Sequence, residues 1–183
     1  MFRSEIRRLT VSAMLFALAM VLPFLTGQIP QIGSMLLPMH IPVFLCGLIC
    51  GWKYGAMVGV LVPLVRSFLF GMPPMIPTAA AMAFELCTYG AVAGMIYFRA
   101  GYFCMKSLYK SMIAAMLCGR IVWAGAMMLL MGINGGAFTF DMFVAGAFLN
   151  SIPGILVQLV LIPAVMAALG KTKLISFDVE PAI

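Results

Sequence analysis

The chain has 183 residues, 64% of them hydrophobic and 9% charged, with a mean hydropathy of +1.15. Repeated apolar runs of about 20 residues match a hydrocarbon core about 30 Å thick and exclude an ordinary soluble domain. The net charge of +6 is not a nucleic-acid signal, because the basic residues flank apolar segments, where they set orientation and meet anionic lipid.

In chain order, six spans are predicted, giving an all-α membrane protein with a single six-helix domain over residues 1–183. The first runs from Leu9 to Thr26 behind Arg7 and Arg8. It is long for a signal core and no small-x-small cleavage site follows, so it reads as an uncleaved span. The uncharged segment Gly27-Gln28-Ile29-Pro30-Gln31-Ile32-Gly33-Ser34 is too rich in turn formers for a regular helix. A second span covers Leu37 to Gly51, and Trp52-Lys53 turns tightly into a third, Tyr54 to Phe70. Gly71-Met72-Pro73-Pro74 breaks the chain before a fourth, Pro77 to Phe98. Arg99, Lys106 and Lys110 mark a connection to the fifth, Ser111 to Met131. After a loop over Gly132-Ile133-Asn134-Gly135-Gly136, the sixth runs from Met142 to Leu169, with kinks expected at Pro153 and Pro163.

Alternation of the spans places Arg3, Arg7, Arg8, Lys53, Arg99, Lys106, Lys110, Lys171 and Lys173 on one side, and no Lys or Arg in the opposite loops. By the positive-inside rule both termini are cytoplasmic. The two remaining cations, Arg66 and Arg120, lie within apolar runs together with Glu85. A charge at the centre of a span costs about 2.5–3.5 kcal/mol on insertion scales, so these residues are expected to face protein or water and to serve function.

Gly55, Gly59, Val62 and Arg66 share a face of the third span, which turns the arginine into the bundle in the outer leaflet. Thr78, Met82, Glu85 and Tyr89 form one stripe of the fourth. Arg120 lies near mid-depth of the fifth with Trp123 one turn outward, Asn150 about two turns below the outer surface, and His40 at the outer start of the second. Two functions compete for these groups. Glu85 and Arg120 form a structural ion pair, or they contact a ligand together with Arg66, whose planar fork suits a carboxylate; the alternatives for Arg66 are snorkelling to headgroups or pairing with Asp141 at the outer interface. His40 reads more readily as an interfacial hydrogen-bonding residue than as a ligand contact, and Tyr89 and Trp123 as packing.

Small pairs at four-residue spacing, Ala13-xxx-Ala17, Gly47-xxx-Gly51, Gly55-xxx-Gly59 and Gly90-xxx-Gly94, permit close helix approach, with internal packing the default reading. Five cysteines without metal spacing and eighteen methionines read as soft packing. With His40 the only histidine, no Ser-His-Asp set or His-Glu-x-x-His motif is available. No phosphate-binding Gly-Lys-Ser/Thr loop occurs either. No enzyme, cofactor or resident metal is indicated.

Several stretches carry a resemblance: Arg7-Arg8 before Ala13-xxx-Ala17, Leu37-Pro38-Met39-His40-Ile41-Pro42, Gly51-Trp52-Lys53-Tyr54-Gly55, Pro63-Leu64-Val65-Arg66-Ser67 and Met75-Ile76-Pro77. Together they resemble the substrate-binding (S) components of energy-coupling factor (ECF) vitamin transporters over essentially the whole chain. The resemblance implies a bacterial plasma-membrane subunit that captures a vitamin from outside. It would then dock onto a transmembrane coupling (T) component with two cytoplasmic ATPases, and topple in the bilayer. Carried over by position, Ala13 and Ala17 face the coupling protein and Gln28, Gln31 and Ser34 belong to the gating loop. Arg66, Glu85 and Asn150 line the pocket, with His40 and Arg120 as further substrate contacts. The surplus intramembrane cation favours a carboxylate-bearing vitamin, first pantothenate, with folate, riboflavin or a pyridoxine-like compound open. The rival readings are a structural or assembly subunit of a membrane complex and a stand-alone secondary carrier. The absence of an inverted repeat with broken half-helices speaks weakly against the carrier.

Overall fold

The structure is a computed structural model, described over residues 5–25, 37–101, 103–133 and 151–172. Six helices follow in order: α1 Glu5–Leu25, α2 His40–Cys50, α3 Trp52–Phe70, α4 Ala80–Arg99, α5 Met105–Ile133 and α6 Ile152–Lys171. A short helical turn, Met75–Ala79, feeds α4. All but α2 are long and apolar enough to cross a membrane, and no strand occurs among the described residues. This is an all-α, multi-pass membrane protein.

The second helix differs most from its predicted span. It begins at His40 rather than Leu37, because Leu37 adopts φ +50° and its carbonyl accepts the His40 N–H at 3.1 Å, closing a turn. Its 11 residues rise only about 16 Å, short of the hydrocarbon core. Every one of them is buried, as expected of a helix apolar on all sides. It is the central element of the bundle. Gly51 alone makes the turn into α3, at φ +103°, a conformation open to glycine and costly to a residue with a Cβ.

Glycines decide how closely the helices meet. A Cβ added at Gly47 of α2 would collide with the Gly90 carbonyl of α4, and one at Gly55 of α3 would come within 2.6 Å of the Gly47 Cα. Gly59 lies on the backbone of Leu86 and Cys87, and Gly94 on Trp52 and Gly47. These contacts run α3 antiparallel to α4 and let three backbones touch. The predicted small-residue pairs of these helices are therefore spent on internal packing. On the other side of α4 lies α5; α1 covers α2 and α3, and α6 reaches α2 and α5. Phe44, Val62, Leu86, Met112 and Ile162 bring five helices into one core.

Two further boundaries moved. The fifth helix starts at Met105 and takes in Lys106 and Lys110, because Ser107, Leu108 and Ser111 bury one face there. Pro153 is not a kink. It falls in the first turn of α6, where its missing N–H has no helical partner to lose, and only Pro163 is interior. Residues 142–150 of the predicted sixth span lie outside the described residues. At the end of the bundle that carries Lys53, Arg99, Lys106 and Lys171, the Tyr54 hydroxyl donates to Glu5 Oε2 at 2.6 Å, tying the start of α1 to that of α3.

Candidate functional site

Glu85 projects from α4 into the interior with 2% exposure, and three helices converge on its Oε1 atom. Arg120 Nη1 of α5 lies 3.0 Å away. One turn along α4, the Tyr89 hydroxyl donates to the same oxygen at 2.9 Å. From the first residue of α2, His40 Nε2 stands at 4.0 Å, an approach too long for a hydrogen bond. The Tyr89 ring is held on both sides: it stacks on Phe44 at 4.9 Å between centroids and tilts against His40 at 5.4 Å. Gly119, next to Arg120, makes room for that ring, since a Cβ there would collide with it.

The ion pair foreseen as one of two roles for Glu85 and Arg120 is thus present. It leaves polar atoms over. Nδ1 and Nε2 of His40 and Nη2 of Arg120 are buried with no hydrogen-bond partner among the described residues. Buried polar groups in native proteins are nearly always satisfied, and an unmade bond leaves most of the desolvation penalty standing, about 1–3 kcal/mol each. The Tyr97 hydroxyl, Ser107 Oγ and Gln158 Nε2 are likewise buried without a hydrogen-bond partner among the described residues; the three atoms on His40 and Arg120 differ in lying around one carboxylate. His40 is 1% exposed, so the bundle encloses its side chain. Tyr89, expected only to pack, also bonds Glu85; its position four residues on, along the same stripe, was the available signal.

Arg66 belongs to a different part of the bundle. From the register of Gly59 against Leu86, it sits roughly 9 Å further along the axis than Glu85 at 1.5 Å per residue. It is 3% exposed, and its Nη1 donates to the Met20 carbonyl of α1 at 2.7 Å. Its guanidinium carbon lies 5.0 Å from the Phe24 ring centroid and 5.3 Å from that of Phe70. Those two rings meet edge to face at 5.0 Å. A carbonyl and two π faces satisfy a guanidinium without a carboxylate, an option that counting acidic residues could not reveal.

Ala13 and Ala17 are exposed on α1, on the side that also carries Leu9 and Met14 at 61% and 66% exposure; Ser12 and Ala19 turn inward. The gating-loop residues Gln28, Gln31 and Ser34, the pocket candidate Asn150, and Asp141 and Asn134 lie outside the described residues. No group of three or more His, Cys, Asp or Glu side chains placed to hold a metal occurs among the described residues.

Two comparisons, with curated proteins and with solved structures, found no match. The profile of the family described as "ECF transporter, substrate-specific component" matches residues 7–174. A match across nearly the whole chain, with the all-helical bundle and its buried polar site, leads to one conclusion: this protein belongs to the substrate-specific component family of ECF transporters.

Proposed function

We propose that this chain is the high-affinity vitamin-binding subunit of an ECF-type importer in the bacterial plasma membrane. It takes a small, carboxylate-bearing vitamin from outside, with pantothenate the first candidate and folate, riboflavin or a pyridoxine-like compound behind it. It performs no catalysis. The single observation behind this choice of site is the buried Glu85 cluster with unpartnered nitrogens on His40 and Arg120. Arg66, further out, is the group proposed to hold the carboxylate, exchanging its Met20 carbonyl for the ligand.

The test is mass spectrometry of what co-purifies from rich medium, followed by binding to purified protein. A vitamin is expected with the wild type. Arg66→Ala should weaken it about 10- to 150-fold, the value of one or two charge-assisted hydrogen bonds. Full affinity in a folded Arg66→Ala protein would remove the arginine clamp.

Delivery is proposed to require docking of α1 onto the transmembrane coupling component with its two ATPases, and toppling in lipid. Because Ala13 and Ala17 are exposed, an indole placed there disturbs the approach of a partner and not the core. Ala13→Trp and Ala17→Trp are expected to abolish uptake into cells while leaving the binding constant within about threefold. Loss of binding in the purified variants would show that this face supports the fold instead.

A further inference from the structure

Helix α1 is fastened to the bundle differently from α2, α3 and α4. Those three meet backbone to backbone through glycines. The α1 sequence contains no glycine, and the helix lies on α2 and α3 with Ser12, Ala19 and Pro23 buried. Polar contacts tie it to α3 at both ends. Where the two helices start, Tyr54 donates to Glu5, whose side chain is 80% exposed, so competing water leaves that bond worth little. Where they end, Arg66 Nη1 donates to the Met20 carbonyl at 2.7 Å, and Phe24 of α1 and Phe70 of α3 flank the guanidinium. This outer clasp sits where α1 is least secure. Pro23 has no N–H to offer the Ala19 carbonyl, so the last turn of the helix is held by fewer backbone bonds.

Arg66 is 3% exposed, and a charge at that depth cannot be left without a partner. The Met20 carbonyl is a neutral acceptor. A carboxylate accepts two parallel bonds and supplies the opposite charge, so it outcompetes a carbonyl for the same fork. Arg66 therefore lets go of α1 only in favour of an anion. We propose that Arg66 links the binding site to the docking helix: with the site empty it holds the outer end of α1 on α3, and a substrate carboxylate that takes the guanidinium releases that end. This rests on the reading of Arg66 as the carboxylate-binding group of a vitamin-binding subunit, and adds that occupancy regulates docking. The helix that carries Ala13 and Ala17 loosens at its outer turns, while the glycine-locked α2, α3 and α4 stay as they are.

Hydrogen–deuterium exchange of the full chain in detergent tests this, read in peptides over residues 18–25 of α1 and, as a reference, over residues 85–95 of α4. Saturating pantothenate should speed exchange in the α1 peptides about tenfold or more, the value of a lost bond to a charged group. Pantothenol, which has a hydroxyl in place of the carboxylate, should leave it unchanged. Arg66→Ala without any added compound should already show the faster exchange. If that variant does not fold, the wild type with and without pantothenate, or with folate, still decides. Unchanged or slower α1 exchange in wild type saturated with either acid, or slow exchange in folded Arg66→Ala, overturns the link and leaves the vitamin-binding subunit standing. A wild type that binds neither acid and co-purifies with an uncharged vitamin also removes the link alone. One that binds neither acid and yields no vitamin on co-purification removes both.

Discussion

Glu85→Leu is expected to destabilise the protein by about 3–5 kcal/mol, because it strands a buried arginine without its counter-charge. Glu85 and Arg120 are 2% and 7% exposed, so bulk water can rescue neither. The same substitution also deprives the buried Tyr89 hydroxyl of its acceptor, adding to the loss. The companion change separates the pair from the burial: Glu85→Leu with Arg120→Met replaces two charges by apolar volume. Buried pairs replaced in this way are often neutral or stabilising, and most of the lost stability should return. Unfolding midpoints of the four proteins in a denaturing-detergent titration form a double-mutant cycle. A double variant no better than Glu85→Leu would show that the two side chains act independently. The double variant should nonetheless fail to bind substrate, since the unpartnered nitrogens of the site are gone or misplaced. Stability and binding thus come apart, as expected of a polar cluster retained for recognition.

The second large effect concerns Gly90. Its added Cβ would fall on the backbone carbonyl group of Gly55, and backbone atoms cannot rotate aside as a side chain can. Gly90→Ala must therefore push α3 and α4 apart. Overpacking typically costs about 1–3 kcal/mol, and this position belongs at or beyond the top of that range. Gly90→Leu should not accumulate as folded protein. Gly125→Ala is the matched control within a helix, with nothing within 4 Å of its Cβ. It should be neutral or gain about 0.5–1 kcal/mol from helix propensity. Yield of monodisperse protein and thermal midpoint check both. An unaffected Gly90→Ala would mean that the helices are not in backbone contact.

Much of the fold was legible before any coordinates. Apolar runs announced the helices, and the four-residue glycine spacing announced where helices approach. The errors fell where local pattern and burial disagree. Lys106 and Lys110 looked like a connection but belong to a helix whose other face is buried. Leu37, Pro38 and Met39 looked like the start of a span and instead form the turn before it. Of the site, Glu85 and Arg120 were visible as charges within apolar runs, and His40 as a polar residue at the start of a span. Their meeting at one carboxylate oxygen was not, because it depends on the register of α2, α4 and α5.

The sequence by itself determined that this is an all-helical membrane protein, with its basic residues gathered at one side. Partition into a bilayer and charge orientation are properties of each segment taken alone. Only the tertiary structure decided which charge is paired with which. Glu85 pairs with Arg120 and stands 4.0 Å from His40, while Arg66 is held by a backbone carbonyl and two aromatic rings. Most of those partners come from different helices; glycine contacts set the register of α2, α3 and α4, and the distances to groups on α1 and α5 are set by packing between segments that no single segment encodes.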